Sequence, residues 1–159
     1  MIDLDVEMVD LEPMHVVAAM GYGVEPEYEA WDSILEFARD QRIDPWDHTH
    51  RFFGFNNPDP MPDRPAYGYE QWMTVPDDVE ALPPLETKEV VGGRYAKTHI
   101  CGLSTIGDAW QGLVQWCDEH GLVVANDREP CLEEVLTPID QPTDSWEMNL
   151  YLAVEEAGA

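Results

Sequence analysis

Ala30-Trp31-Asp32-Ser33-Ile34-Leu35-Glu36-Phe37 and Ala109-Trp110-Gln111-Gly112-Leu113-Val114-Gln115-Trp116 are the two stretches whose comparison decides the fold. They are related by a shift of 109 − 30 = 79 residues, and the same shift carries Asp40 to Glu119 and Ile43 to Leu122. Outward from this core it takes Val6-Glu7 to Leu85-Glu86, Gly23 to Gly102, Trp72 to Tyr151, Met73 to Leu152 and Val75 to Val154, with no gap. Self-similarity at one fixed offset is the mark of tandem copies. A single domain built from two repeats, residues 1–79 and 80–159, accounts for the whole 159-residue chain.

Each copy reads as β-α-β-β. In the first, residues 6–8 and 14–20 are strand-like, interrupted at Glu12-Pro13, and Gly21-Tyr22-Gly23 marks a turn. Pro26 suits a first helical turn, and Tyr28, Trp31, Leu35 and Ala38 recur at helical spacing. Two strands follow, over residues 51–55 and 67–75, separated by a proline-rich loop. The second copy repeats the order: a strand at 94–100, a helix capped by Ser104 or Thr105 and ended by Gly121, and strands at 132–136 and 146–154. Residues 76–84, acidic and carrying Pro83-Pro84, form the linker. The fold class is therefore α+β, with antiparallel sheets forming a groove and one main helix per repeat.

Composition narrows the partners. The chain has 33 Asp plus Glu against 8 Lys plus Arg, a formal charge of −25. Nucleic acids and anionic membranes recruit basic surfaces, so direct binding to either is excluded as an expectation. Six Trp, six Tyr and four Phe supply a core, so this is not a disordered acidic tail. Met1-Ile2-Asp3-Leu4-Asp5 lacks the basic and apolar regions of a secretory signal, and Cys101, Cys117 and Cys131 have no CxxC spacing; both suit a cytoplasmic protein. Cys117 reads as a core residue. His48 and His50 beside Asp47 lack a third ligand, so neither metal nor cofactor is expected.

Strand parity separates core from candidate site. Trp146, Met148, Leu150, Leu152 and Val154 share one face of the last strand, under the helix; Glu147, Asn149, Tyr151 and Ala153 share the other. The 79-residue shift puts Gly68, Glu70, Trp72 and Thr74 on the equivalent face of the first copy. Carboxylates beside aromatic faces attract organic cations. The candidate ligand-binding set is Glu70, Trp72, Glu133, Glu134, Glu147, Asn149 and Tyr151, facing a groove between the repeats, while Trp31 and Trp110 read as core.

Several segments together resemble the GyrI-like, or AraC-type effector-binding, family, a duplicated (SHS2) fold. They are Gly93-Arg94-Tyr95-Ala96-Lys97-Thr98-His99, Ala109-Trp110-Gln111-Gly112-Leu113, Pro130-Cys131-Leu132-Glu133-Glu134-Val135 and Asn149-Leu150-Tyr151-Leu152-Ala153-Val154, with Ala30-Trp31, Phe53-Gly54-Phe55 and Met73-Thr74-Val75-Pro76 in the first copy. The resemblance implies a stand-alone binder of aromatic or amphipathic, cationic molecules, akin to the multidrug sensors of transcription regulators. It also implies a cleft glutamate, which Glu133 matches best and Glu134 replaces if the register slips by one. Asn149 stands where relatives often carry an acid and Ala153 where they often carry proline, with Glu70 as the pseudo-symmetric carboxylate. Two alternatives accompany it: a hydrolase of strained, cyclopropane-type electrophiles using Glu133 or Glu70 as general base, and a gyrase-inhibitor-like protein-interaction module with gyrase as its partner. A separate regulator as partner, and a monomer or a dimer, are all compatible with this reading.

Overall fold

The computed structural model describes residues 4–157; residues 1–3, which begin the N-terminal stretch discussed above, and residues 158–159 lie outside the described residues. The chain order is β1 (Val6–Leu11), β2 (Met14–Gly23), α1 (Pro26–Asp40), β3 (Phe52–Asn56), β4 (Tyr67–Thr74), β5 (Glu86–Val90), β6 (Gly93–Cys101), α2 (Ile106–Glu119), β7 (Leu122–Val124), β8 (Cys131–Val135) and β9 (Glu147–Glu156), with short 3-10 turns before α2 and β9. The antiparallel α+β character expected from the sequence holds. The 79-residue shift superimposes the elements in sequence: β3 maps onto β8, α1 onto α2 and β4 onto β9 within a few residues at each end.

The chain divides into two compact units. One spans Met14–Val90 and pairs its strands in the order β3-β4-β2-β5. The other takes in the chain up to Pro13 and from Val91 onward; its order is β1-β6-β9-β8, with β7 pairing the far end of β9. These limits differ from 1–79 and 80–159 because each β-α-β-β set gains a further edge strand, and the edge strands are exchanged. β1 precedes β2 in sequence but pairs with β6, while its repeat equivalent β5 pairs with β2. The registers agree across the repeat: Val6 opposes Thr98, and the shifted pair Leu85 and Ala19 lies one step beyond the observed Glu86–Ala18.

Apolar stripes set the helix positions. Ala30, Trp31, Ile34, Phe37 and Ala38 are the buried side of α1, and Ala109, Leu113 and Cys117 that of α2. Burial of the larger of these, such as Ile34, Phe37 and Leu113, at about 1.5–3 kcal/mol each supplies most of what holds a short helix on a sheet. Pro26 opens α1 as expected. Gly21, however, is not in a turn but within β2: a Cβ there would sit 2.1 Å from the Pro26 carbonyl oxygen, so glycine allows the start of α1 to lie against the strand. The linker after Thr74 carries no regular element until β5. Cys117 is buried, and burial pushes its thiol up, whereas Cys101 and Cys131 are exposed.

His15 ties β5 and the linker to β2. Its Nε2–H donates to the Val79 carbonyl (2.9 Å), its Nδ1 meets the Glu89 carboxylate, and its side chain is 8% exposed. The Val79 carbonyl, followed by Glu89, raises its pKa above the usual imidazole value. A raised folded pKa makes this contribution to stability complete below the unfolded value of about 6.5, and lost as pH climbs through the folded value. Unfolding midpoints measured across that window should therefore fall more steeply for the native chain than for a His15→Gln variant. Parallel curves would contradict the assignment.

Candidate functional site

The register of β8 on β9 decides which carboxylates meet. Glu134 lies opposite Asn149 and Glu133 opposite Leu150, so Glu134 shares the face of Asn149 and Tyr151, while Glu133 shares the face of Leu150. Glu133 is accordingly on the α2 side, where Trp110 Nε1 donates to its Oε2 (3.0 Å). The glutamate favoured by the resemblance thus supports a helix tryptophan, and its neighbour takes the opposite face. One residue of register separates the two roles.

Glu134 is 3% exposed. Its Oε1 accepts from Tyr151 Oη (2.6 Å) and Asn149 Nδ2 (3.1 Å). Asn149 continues the string, its Oδ1 taking a hydrogen bond from His99 Nδ1 (2.9 Å), and His99 Nε2 stands 3.4 Å from Glu147. Tyr151 is itself clamped edge-on by Tyr95, with ring centroids 6.1 Å apart, and Tyr95 lies under the Arg128 guanidinium. Burial, the largest cause, raises the Tyr95 phenol above its ordinary pKa, so the hydroxyl stays neutral. Asn149 and His99 form part of the lining of a cavity of about 480 Å3 with Lys97, Asp5, Val6 and Glu7. Lys97 pairs with Glu7 at 3.3 Å. The sequence-predicted residues Glu134, Asn149 and Tyr151 are therefore joined in one hydrogen-bonded string, which His99 extends to within 3.4 Å of the Glu147 carboxylate. The sequence reading did not single out His99, Lys97 and Tyr95 as neighbours of this string; alternation along β6 puts all three on that face once β6 is paired with β9.

In the Met14–Val90 unit, Glu70 and Trp72 also share the face away from the helix. Glu70 is 2% exposed, and its carboxylate is enclosed by Trp72 Nε1 (2.5 Å), Lys88 Nζ (2.8 Å) and Asn57 Nδ2 (3.3 Å). Phe55 meets Trp72 edge-on at 4.9 Å. The repeat shift makes Phe55, Glu70 and Trp72 the counterparts of Glu134, Asn149 and Tyr151. Both copies thus hold one buried carboxylate against an aromatic donor, but on different strands, and the one in the first copy is paired with Lys88.

Trp31 is core, as expected, at 4% exposure. His50 Nδ1 bonds the Thr74 carbonyl (2.7 Å), and Asp47 accepts from the backbone and hydroxyl of Thr49 (2.9 and 2.6 Å), bonds that hold its carboxyl below the usual range. Among the described residues no group of three or more His, Cys, Asp or Glu is placed to hold a metal ion, and no helix is long and apolar enough to cross a membrane.

The family model of the GyrI-like small molecule binding domain matches residues 4–155. This chain belongs to the GyrI-like family. Solved structures agree on the GyrI-like fold at low identity. The chain of EcmrR in its DNA complex matches with TM-score 0.78 and 12% identity over 97% of this chain, which spans 58% of that one. A hydrolase from Listeria innocua matches with TM-score 0.70 and 14% identity, over 94% and 91% of the two chains. SAV2435, solved bound to tetraphenylphosphonium, matches with TM-score 0.55 and 10% identity, over 95% and 94%. No curated protein sequence matches this GyrI-like chain.

Proposed function

We propose that this GyrI-like domain binds an organic cation with aromatic surface, using Glu134 as the counter-charge. The observation that carries the reading is the buried Glu134 carboxylate, held by Tyr151 and by Asn149, with Asn149 in turn lining a cavity of about 480 Å3. A carboxylate taken out of water is costly, so a ligand that brings a positive charge and covers apolar surface is favoured over a neutral molecule of the same shape. Tyr151 and Asn149 fix the carboxylate's orientation. Tyr95, packed edge-on against Tyr151, backs the phenol that bonds Glu134. Glu70 serves the fold instead, since an incoming cation there competes with Lys88. The net charge of −25 raises the local concentration of cations around the molecule and speeds their arrival at low salt. The tetraphenylphosphonium complex of SAV2435, a protein of the same fold, supplies a suitable probe.

Calorimetric titration with tetraphenylphosphonium and with neutral triphenylphosphine oxide tests this. The cation should bind at least about tenfold more tightly, which corresponds to about 1.4 kcal/mol, and the gap should narrow with added salt. Equal affinities for the two compounds would remove the electrostatic part of the proposal.

A further inference from the structure

The duplication offers an internal comparison on the other side of the sheet, beneath the helices. In the Met14–Val90 unit, Trp31 of α1 is covered by two aromatic rings: Trp46 stacks on it (centroids 6.0 Å apart, planes at 28°) and Phe52 leans on it at 5.1 Å. Trp46 and Phe52 also touch each other, at 5.0 Å, and the resulting three-ring cluster leaves Trp31 only 4% exposed. The 79-residue shift carries Trp31 to Trp110, but Trp46 to Ala125 and Phe52 to Cys131. The helix tryptophan is kept in the second copy, and both rings that covered it are replaced by small side chains.

The space shows in the structure. Trp110 is half-buried and, with Val114, Cys117, Leu122, Val124 and Leu152, lines a cavity of about 700 Å3 between α2, β7 and β9. That volume is in the range of pockets that take drug-sized ligands. Val114 is 49% and Val124 37% exposed, so apolar side chains of the lining are open to solvent. Asp118 is the one charged side chain in the lining, and the raised Cys117 thiol stays neutral at the floor. Trp110 Nε1 donates to Glu133 Oε2, which fixes that edge of the indole.

We infer that the cavity beside Trp110 is a second small-molecule site, taking a flat, uncharged aromatic ligand that stacks on Trp110 as Trp46 stacks on Trp31. The indole supplies the stacking face and the valines and leucines the apolar walls. Offset stacking of this kind is favourable beyond the area it buries. This site lies on the α2 face of the sheet, and Glu134 lies on the opposite face, so the inference stands or falls independently of the cation site.

The test uses N-phenyl-1-naphthylamine, a neutral aromatic probe that brightens in apolar surroundings, titrated into the full chain. Saturable binding is expected, at least tenfold weaker in Val114→Trp, whose added ring fills the space from an exposed helix position. Val124→Trp provides a second filling variant from the sheet side, and far-UV circular dichroism identifies which of the two keeps the native fold. Tetraphenylphosphonium affinity should be unchanged in Val114→Trp, and naphthylamine affinity should stay within twofold in Glu134→Gln. Absence of saturable binding to the native chain, undiminished binding to a folded filling variant, or equal loss in Glu134→Gln would overturn the inference.

Discussion

Replacing Lys88 with methionine should destabilise the protein by about 2 kcal/mol, seen as a Tm lower by roughly 4–8 °C for a chain of this size. The ammonium lies 2.8 Å from Glu70 Oε2, and the Glu70 side chain is 3% exposed against 37% for Lys88. Removing one member of a fully buried pair typically costs about 3–5 kcal/mol, because the other charge is stranded. The partial exposure of Lys88 lowers that figure, since water reaches the vacated side, and the donors Trp72 Nε1 and Asn57 Nδ2 remain. The double variant Lys88→Met with Glu70→Gln should recover most of the loss, because the amide keeps an acceptor for Trp72 without a charge. A double variant no more stable than Lys88→Met alone would show that the charge stranded on Glu70 does not carry the effect.

The two copies have divided what the sequence presents as one pattern. Parity along β4 and β9 is visible in the sequence, and it correctly sets Glu70 and Trp72 on one face and Asn149 and Tyr151 on its equivalent. Helical periodicity locates α1 and α2 within a residue or two because each must bury an apolar stripe. Long-range pairing is what the chain does not display locally. Whether β1 joins β2 or β6 depends on contacts about 90 residues apart, so the exchange of edge strands is invisible to a reading of either copy by itself. β7, three residues long, gives too short an alternation to register. Gly21 reads as a turn signal because the close approach of α1, which requires it, is tertiary.

The choice between Glu133 and Glu134 has the same origin. Adjacent residues on a strand face opposite ways, so two consecutive glutamates offer both answers until the partner strand is known. The repeat preserves the pairing that settles it: Phe55 opposes Glu70 on β4, and the shifted pair is Glu134 opposing Asn149 on β9. Lys88 is one of only eight basic residues, and its meeting with Glu70 depends on β5 and β4 flanking β2. That ion pair ties β5 to β4 across β2.

The measurement that bears most directly on this division is calorimetric titration of tetraphenylphosphonium into the native chain, Glu134→Gln and Glu70→Gln side by side. The Glu134→Gln amide retains an oxygen to accept from Tyr151 and Asn149, so the fold and the walls of the site persist while the charge is lost. Removing a buried counter-charge from a cation site is expected to weaken binding by about tenfold to a hundredfold, which corresponds to about 1.4–2.8 kcal/mol. The account predicts that loss for Glu134→Gln, seen as a raised Kd with unchanged stoichiometry, and a change of no more than about twofold for Glu70→Gln. Native affinity in Glu134→Gln, or the larger loss in Glu70→Gln, would contradict it.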